Sequence, residues 1–244
     1  MAKFNKESNG YIIGFALLLT LIAGGVLTAL TLTLGPIQKK EIEFERKKFI
    51  LGTAFGAEMI AEKAETNKAD IESMYSNQVE GKVVNAAGEE VEGVVAGKIN
   101  LKKERVKPME ERNLPLYVVK DDKGEVAAYV MPMFGDGLWD NIWGYAAVEA
   151  DKKTIKGVVF DHKGETPGLG ARITDGEVQL RYKGKSILDA QGEFKSVSMA
   201  KGEGQDFSND PHTVNGMSGA TITGDGVNLM FSAYLKAYLN YFNK

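Results

Sequence analysis

The chain has 244 residues, 43% hydrophobic and 26% charged, which suits one domain with a packed core plus an appendage. A formal net charge of -3 and the lack of any local Lys/Arg stripe give no electrostatic footprint for a phosphate backbone, which argues against nucleic acid as a partner. With no cysteine, the chain has no disulfide, thiolate nucleophile or Cys-ligated cluster of its own, so redox chemistry requires a borrowed cofactor.

Residues 1–10 read as an N-terminal tail. Tyr11 to Leu34 is an uncharged apolar run of 24 residues, long enough as a helix to cross a hydrocarbon core of about 30 Å. It exceeds a signal-peptide core of about 7 to 15 residues and lacks an Ala-x-Ala-like exit, so it reads as a permanent transmembrane helix. Lys39, Lys40, Arg46, Lys47 and Lys48 follow the span, whereas only Lys3 and Lys6 precede it. The positive-inside rule alone therefore places the large domain in the cytoplasm.

Residues 35–71 form a juxtamembrane segment. Gln38 to Ile71 is rich in Glu, Lys and Ala with spaced apolar residues, the pattern of a helix. Residues 72–244 read as one domain. Val83-Val84, a turn at Gly88 and Val91 suggest a hairpin, and Leu116 to Val119 begins further strands. Asp121 to Gly124 turns into a strand over Val126 to Met133, and Asp151-Lys152-Lys153 links Ile142–Val148 to Ile155–Phe160. Such short connections imply an antiparallel sheet. A helix over Ala171 to Leu188, a strand at Ser196 to Met199 and a closing helix from about Gly226 to Phe242 complete an α+β domain, a mainly antiparallel sheet with packed helices.

Gly168-Leu169-Gly170 and Gly202-Glu203-Gly204 each lack the third glycine and the strand-to-helix context of a dinucleotide fingerprint, so no direct NAD site is expected. His162 and His212 lie far apart without carboxylates at ligand spacing, and no metal site is expected either. The segment from Asn215 to Gly226 is richer in information. Its small residues leave backbone amides bare just before an amphipathic helix, for which Thr223 or Asp225 is the expected N-cap. The positive end of that helix suits a phosphate, with a threonine hydroxyl beside it.

Ser218-Gly219-Ala220-Thr221 matches the S/T-G-A-T signature of proteins that carry flavin mononucleotide (FMN) on the final threonine. Gly135-Asp136-Gly137-Leu138-Trp139 and Gly164-Glu165-Thr166-Pro167-Gly168-Leu169-Gly170 match the same family in the same order. The chain thus resembles the C subunits of the sodium-translocating NADH:quinone oxidoreductases. The G subunit of the related Rnf complex is the nearest alternative, and a membrane-tethered FMN-binding regulatory module is another.

The resemblance implies covalent FMN, joined through a phosphoester to Thr221, with Ser218, Gly219, Ala220 and Thr223 around the phosphate. It implies flavin contacts from Glu165, Thr166, Gly168 and Leu169, and places Trp139 near the isoalloxazine ring. No residue of the chain is expected to be catalytic by itself. The implied partners are the other subunits of a respiratory complex that passes electrons to ubiquinone and exports sodium, the membrane, and a flavin transferase during maturation. The implied location is a bacterial inner membrane with the large domain in the periplasm, contrary to the charge pattern. One departure stands out: flavin-accepting proteins usually have aspartate three residues before the S/T, where this chain has Asn215.

Overall fold

The computed structural model describes residues 8–244. Most of the expected N-terminal tail, with Lys3 and Lys6, lies outside the described residues. The chain divides into two compact units, one ending at Arg46 and the other running from Lys47 to Lys244.

The first unit belongs to helix α1 (Asn9–Phe55), which, among the described residues, is the one helix long and apolar enough to span a membrane. Its apolar side chains stand exposed, Leu21 and Leu32 each at 73%. Thr20, Thr28, Thr31 and Thr33 donate their hydroxyls to the carbonyls of Ala16, Gly24, Leu27 and Ala29. The polar atoms on this apolar run are thereby satisfied without water. Pro36 lies inside α1 without ending it, although a proline removes one helical hydrogen bond. The span and the start of the juxtamembrane segment are therefore one continuous helix.

In the second unit, the helix expected through Ile71 is in pieces. Gly56, at φ 116°, separates α1 from α2 (Ala57–Thr66), and Asn67 starts α3 (Lys68–Gln78) by accepting a hydrogen bond from the Ala69 N–H. The chain passes directly from α3 into an antiparallel sheet of five strands in sequence order: β1 (Val79–Val84), β2 (Leu114–Lys120), β3 (Val126–Asp136), β4 (Asn141–Val148) and β5 (Ile155–His162). Sequential order follows from short connections. The exception is the excursion between β1 and β2, which contains the single-turn α4 (Leu101–Glu104).

Alternation along the strands gives the sheet two apolar faces. Leu114, Leu116, Met131, Met133, Ile142 and Phe160 join the larger core, while Tyr117, Val119, Ala128, Val130 and Ala147 pack with Ile50 and Ala54 from the end of α1. The larger core is closed by α6 (Thr221–Phe242), whose Val227, Met230, Phe231, Tyr234, Leu235 and Tyr238 recur at helical spacing and are buried. Its first turns press on the end of β3 so closely that a Cβ at Gly226 would sit 2.2 Å from the Asp136 carbonyl oxygen. At the far end, Lys152 donates its Nζ to the Phe242 carbonyl, placing a cation on the helix C-terminus.

Three further expectations from the sequence change. The helix expected over Ala171–Leu188 is one 3-10 turn (Gly170–Thr174) followed by α5 (Gly176–Leu180). Beyond it, the Gly184 N–H donates to the Ile155 carbonyl and the Ile155 N–H to the Lys185 carbonyl, so the edge of β5 takes the backbone groups a longer helix would need. The strand at Ser196–Met199 is only β6 (Ser198–Met199), paired in parallel with an unforeseen β7 (Thr213–Val214). Finally, α6 begins at Thr221, five residues before Gly226, and its N-cap is Ala220 rather than Thr223 or Asp225.

Tyr238 joins α6 to the sheet by donating its hydroxyl to the Pro115 carbonyl at 2.7 Å, fully buried. Tyr238→Phe preserves the ring but orphans that carbonyl and should lower unfolding free energy by about 1–2 kcal/mol. Urea unfolding of the detergent-solubilised chain measures the loss.

Candidate flavin site

Three segments meet at the N-terminal end of α6: the β3–β4 turn (137–140), the loop after β5 (163–170) and the run into the helix (215–220). The β3–β4 turn is closed by the Gly137 N–H donating to the Asp140 carbonyl, and by Lys163 pairing with Asp140. It holds Leu138 and Trp139 outward, 46% and 70% exposed. In the second segment, Pro167 and a positive-φ Gly168 (75°) form a tight turn in which the Leu169 N–H donates to the Thr166 carbonyl. That turn leaves Thr166, Gly168 and Leu169 exposed.

The run into α6 alternates between inside and outside. Met217 and Ala220 are buried, while Ser218, Gly219 and Thr221 are exposed. Leu169 packs against Gly219, where a Cβ would lie 2.8 Å from the leucine Cδ2. Thr221 is the first residue of a 22-residue helix, and no side chain caps that helix. Its first-turn N–H groups, which have no intrahelical partner, and the positive end of the helix dipole thus face outward beside the Thr221 hydroxyl.

Glu165 ties the three segments together. Only 4% exposed, its Oε2 accepts from the Thr223 hydroxyl at 2.6 Å and its Oε1 from the Trp139 N–H at 2.9 Å. Gly137 and Gly170 make room for it, since a Cβ at either would fall 2.4 Å from a carboxylate oxygen. Its own N–H donates to His162 Nδ1 at 3.2 Å. Burial raises the Glu165 pKa, but the Thr223 hydroxyl and the N–H groups of Trp139, Asp140 and Leu138 outweigh it, and the carboxyl lies below its ordinary value.

The residues singled out from the sequence thus fall into two groups. Ser218, Gly219, Thr221, Thr166, Gly168, Leu169 and Trp139 face outward, whereas Glu165, Thr223 and Ala220 face inward and hold the segments in place. Exposed Leu138 and Ile222 (58%) extend the apolar rim and were not anticipated, although Leu138 belongs to the Gly135–Trp139 motif. Trp143 is half-buried in β4, and Tyr234 and Tyr238 are core residues. Asn215 uses its Oδ1 to accept from the Gln205 N–H at 3.2 Å.

The arrangement fits a flavin phosphate, since an uncapped helix start supplies unpartnered N–H donors next to a hydroxyl and an apolar rim lies within the same cluster of segments. Because the Glu165 pKa is depressed, its stabilisation is present above the ordinary carboxylate range and is lost as pH falls below it. Glu165→Ala, which strands buried donors, should cost about 2–3 kcal/mol, and Thr223→Val about 1–2 kcal/mol. Both follow from urea unfolding at pH 7, and the gap between Glu165→Ala and the parent chain should narrow at pH 4.

The family model described as FMN-binding domain matches residues 137–236 and so includes all three segments. Over 246 residues the chain is 31% identical to the C subunit of the Na(+)-translocating NADH-quinone reductase of Haemophilus ducreyi, covering 95% of this chain and 91% of the relative. The corresponding protein of Neisseria meningitidis serogroup A is 29% identical over 252 residues, covering 99% and 96%. Among solved structures, the corresponding protein from Parabacteroides distasonis superimposes with a TM-score of 0.72 at 33% identity, covering 85% of this chain and 96% of that one. With the fold and nearly the full length in agreement, the chain belongs to the family of C subunits of Na(+)-translocating NADH-quinone reductases, as a membrane-anchored subunit with an FMN-binding domain.

Proposed function

We propose that this chain carries FMN covalently through a phosphoester to Thr221 and serves as one electron-transfer station of a sodium-translocating NADH:quinone reductase. The observation that carries this reading is the exposed Thr221 hydroxyl at the first position of a long helix with no side-chain cap. Ser218, Gly219 and the first-turn N–H groups of α6 surround the position a phosphate on Thr221 takes. Thr166 and Leu169 border it from one side, and Trp139 and Leu138 supply apolar surface for the ring. Glu165 and Thr223 act one layer below, fixing where these groups stand.

Bound FMN supplies the one- and two-electron chemistry that the cysteine-free chain lacks. The chain itself makes and breaks no substrate bond, and a separate flavin transferase installs the nucleotide. Its apolar span contains no charged residue from Tyr11 to Leu34, so sodium passes through sibling subunits that provide polar groups within the membrane. NADH is oxidised and quinone reduced on those siblings, with this subunit between them.

We further place the domain after the span in the periplasm. The cationic cluster after the span opposes this placement by count, but long domains cross membranes largely regardless of their charge.

Thr221→Ala should abolish the flavin fluorescence that the parent chain, made in its native host, retains on a denaturing gel. A fluorescent band in the alanine variant would move the attachment elsewhere. For orientation, a reporter fused after Lys244 should be active only when exported, and activity confined to the cytoplasm would reverse the placement.

A further inference from the structure

The Gly202-Glu203-Gly204 triplet lies outside the three segments of the flavin site, yet its geometry is specific. Both glycines adopt positive φ, 76° and 90°, a conformation glycine takes without a Cβ penalty. Glu203 lies against the run into α6. Its Oε2 accepts from the Ser218 N–H at 3.3 Å and from Arg172 Nη1 at 2.8 Å, and its Oε1 accepts from Arg172 Nη2 at 2.7 Å and from Arg181 Nη2 at 3.2 Å. Arg172 belongs to the 3-10 turn that continues directly from the Thr166–Gly170 loop, so one carboxylate links the run into α6 to the turn following the second segment of the flavin site.

Arg181 completes the arrangement from the end of α5. Its Nη1 donates to the Gly216 carbonyl at 2.6 Å and the Asn215 carbonyl at 3.1 Å, and its Nη2 also reaches Glu177 at 2.7 Å. Gly216 is pressed so tightly onto the 200–202 backbone that a Cβ would sit 2.0 Å from the Ala200 carbonyl oxygen. Between Asn215 and Ser218, the path of the chain is therefore fixed by a bidentate Arg–carboxylate pair, a shared second arginine and a backbone contact.

We infer that Glu203, locked between Arg172 and Arg181, is a positioning residue that holds the Ser218 N–H and so presents the Thr221 hydroxyl for flavin transfer. This rests on the reading that Thr221 is the attachment site. Glu203 touches neither the hydroxyl nor the helix start, and it acts through the backbone three residues upstream. The network lies at the surface, with the Glu203 side chain 27% exposed. Exposed ion pairs of this kind contribute little to global stability but do fix geometry when bidentate. A variant should consequently alter how the segment is held far more than whether the domain folds.

The test compares the full-length chain with E203Q, E203A and T221A, each made without flavin and then incubated with the native flavin transferase and FAD. In the transfer the Thr221 oxygen takes the FMN phosphoryl group as the pyrophosphate bond of FAD breaks, AMP leaves and the hydroxyl proton passes to solvent. Flavin transfer is followed as covalent flavin per protein, and amide hydrogen exchange is followed by mass spectrometry in the same samples before labelling. E203A should label at least tenfold more slowly at saturating transferase, with little change in the transferase concentration giving half-maximal rate. Amides from Gly216 to Ile222 should exchange at least tenfold faster, while those of β3 and β4 keep the parent rate. E203Q, which retains an acceptor but not the charge, should fall between the two. Parent-like labelling and parent-like exchange in E203A would overturn the inference, as would faster exchange with unchanged labelling. Loss of protection throughout E203A would pass the decision to E203Q, judged by the same two criteria. No label on the parent chain, or label on T221A, would refute Thr221 as the attachment site and with it a role for Glu203 in presenting it, whereas the exchange data would still report whether Glu203 holds the segment.

Discussion

The site is organised around one buried carboxylate. Glu165 sits where the β3–β4 turn, the loop after β5 and the first turn of α6 converge, and it accepts hydrogen bonds from both of the segments that flank its own. A buried carboxylate is tolerated only when its oxygens are satisfied, and here a hydroxyl and backbone N–H groups satisfy them. The requirement acts in both directions. Gly137 and Gly170 must lack side chains, Thr223 must offer a hydroxyl inward, and the 137–140 turn must direct its N–H groups at the acid. The outward-facing residues of the candidate site are thus set in place by residues that face inward.

The same logic explains why α6 has no side-chain cap. In most helices a Ser, Thr, Asp or Asn at the N-cap consumes a first-turn donor. In this chain the N-cap is Ala220, buried in the core, and Thr223 turns its hydroxyl to Glu165. Both devices leave the helix start open, at a cost in intrinsic helix stability that the long apolar face of α6 offsets through burial. The alternation of Met217 and Ala220 inward with Ser218, Gly219 and Thr221 outward then displays the candidate segment at the surface on a buried base. The arginines that grip Glu203 and the carbonyls of Asn215 and Gly216 constrain the same segment from the side.

The anchoring helix follows different physics from the domain. Along the span its apolar side chains face outward and its threonine hydroxyls fold back onto the helix, so a hydrocarbon environment is the one that matches it. In the second unit, the strands bury apolar residues on both faces. Close backbone approaches at Gly226 and Gly216 bring the start of α6 against β3 and the run into it against the backbone just after β6.

Sequence by itself determined the membrane span, because 24 uncharged apolar residues match one environment, and the antiparallel sheet, because short turns between β-rich runs permit little else. It also singled out a candidate flavin segment, since Ser218 to Thr221 and the two companion motifs are local strings that need no fold to be read. Tertiary structure decided what depends on partners distant in the chain. The start of α6 at Thr221 follows from Ala220 entering the core and Thr223 reaching Glu165, 58 residues away. The chain leaves the helix after Leu180 as Gly184 and Lys185 turn their backbone groups to Ile155 of β5. Glu203 is, in one dimension, the middle of a failed nucleotide motif, and it gains a role only when packing brings Arg172, Arg181 and Ser218 around it. Local patterns encode environment and backbone preference, but which buried donor meets which acceptor is settled only when the segments pack.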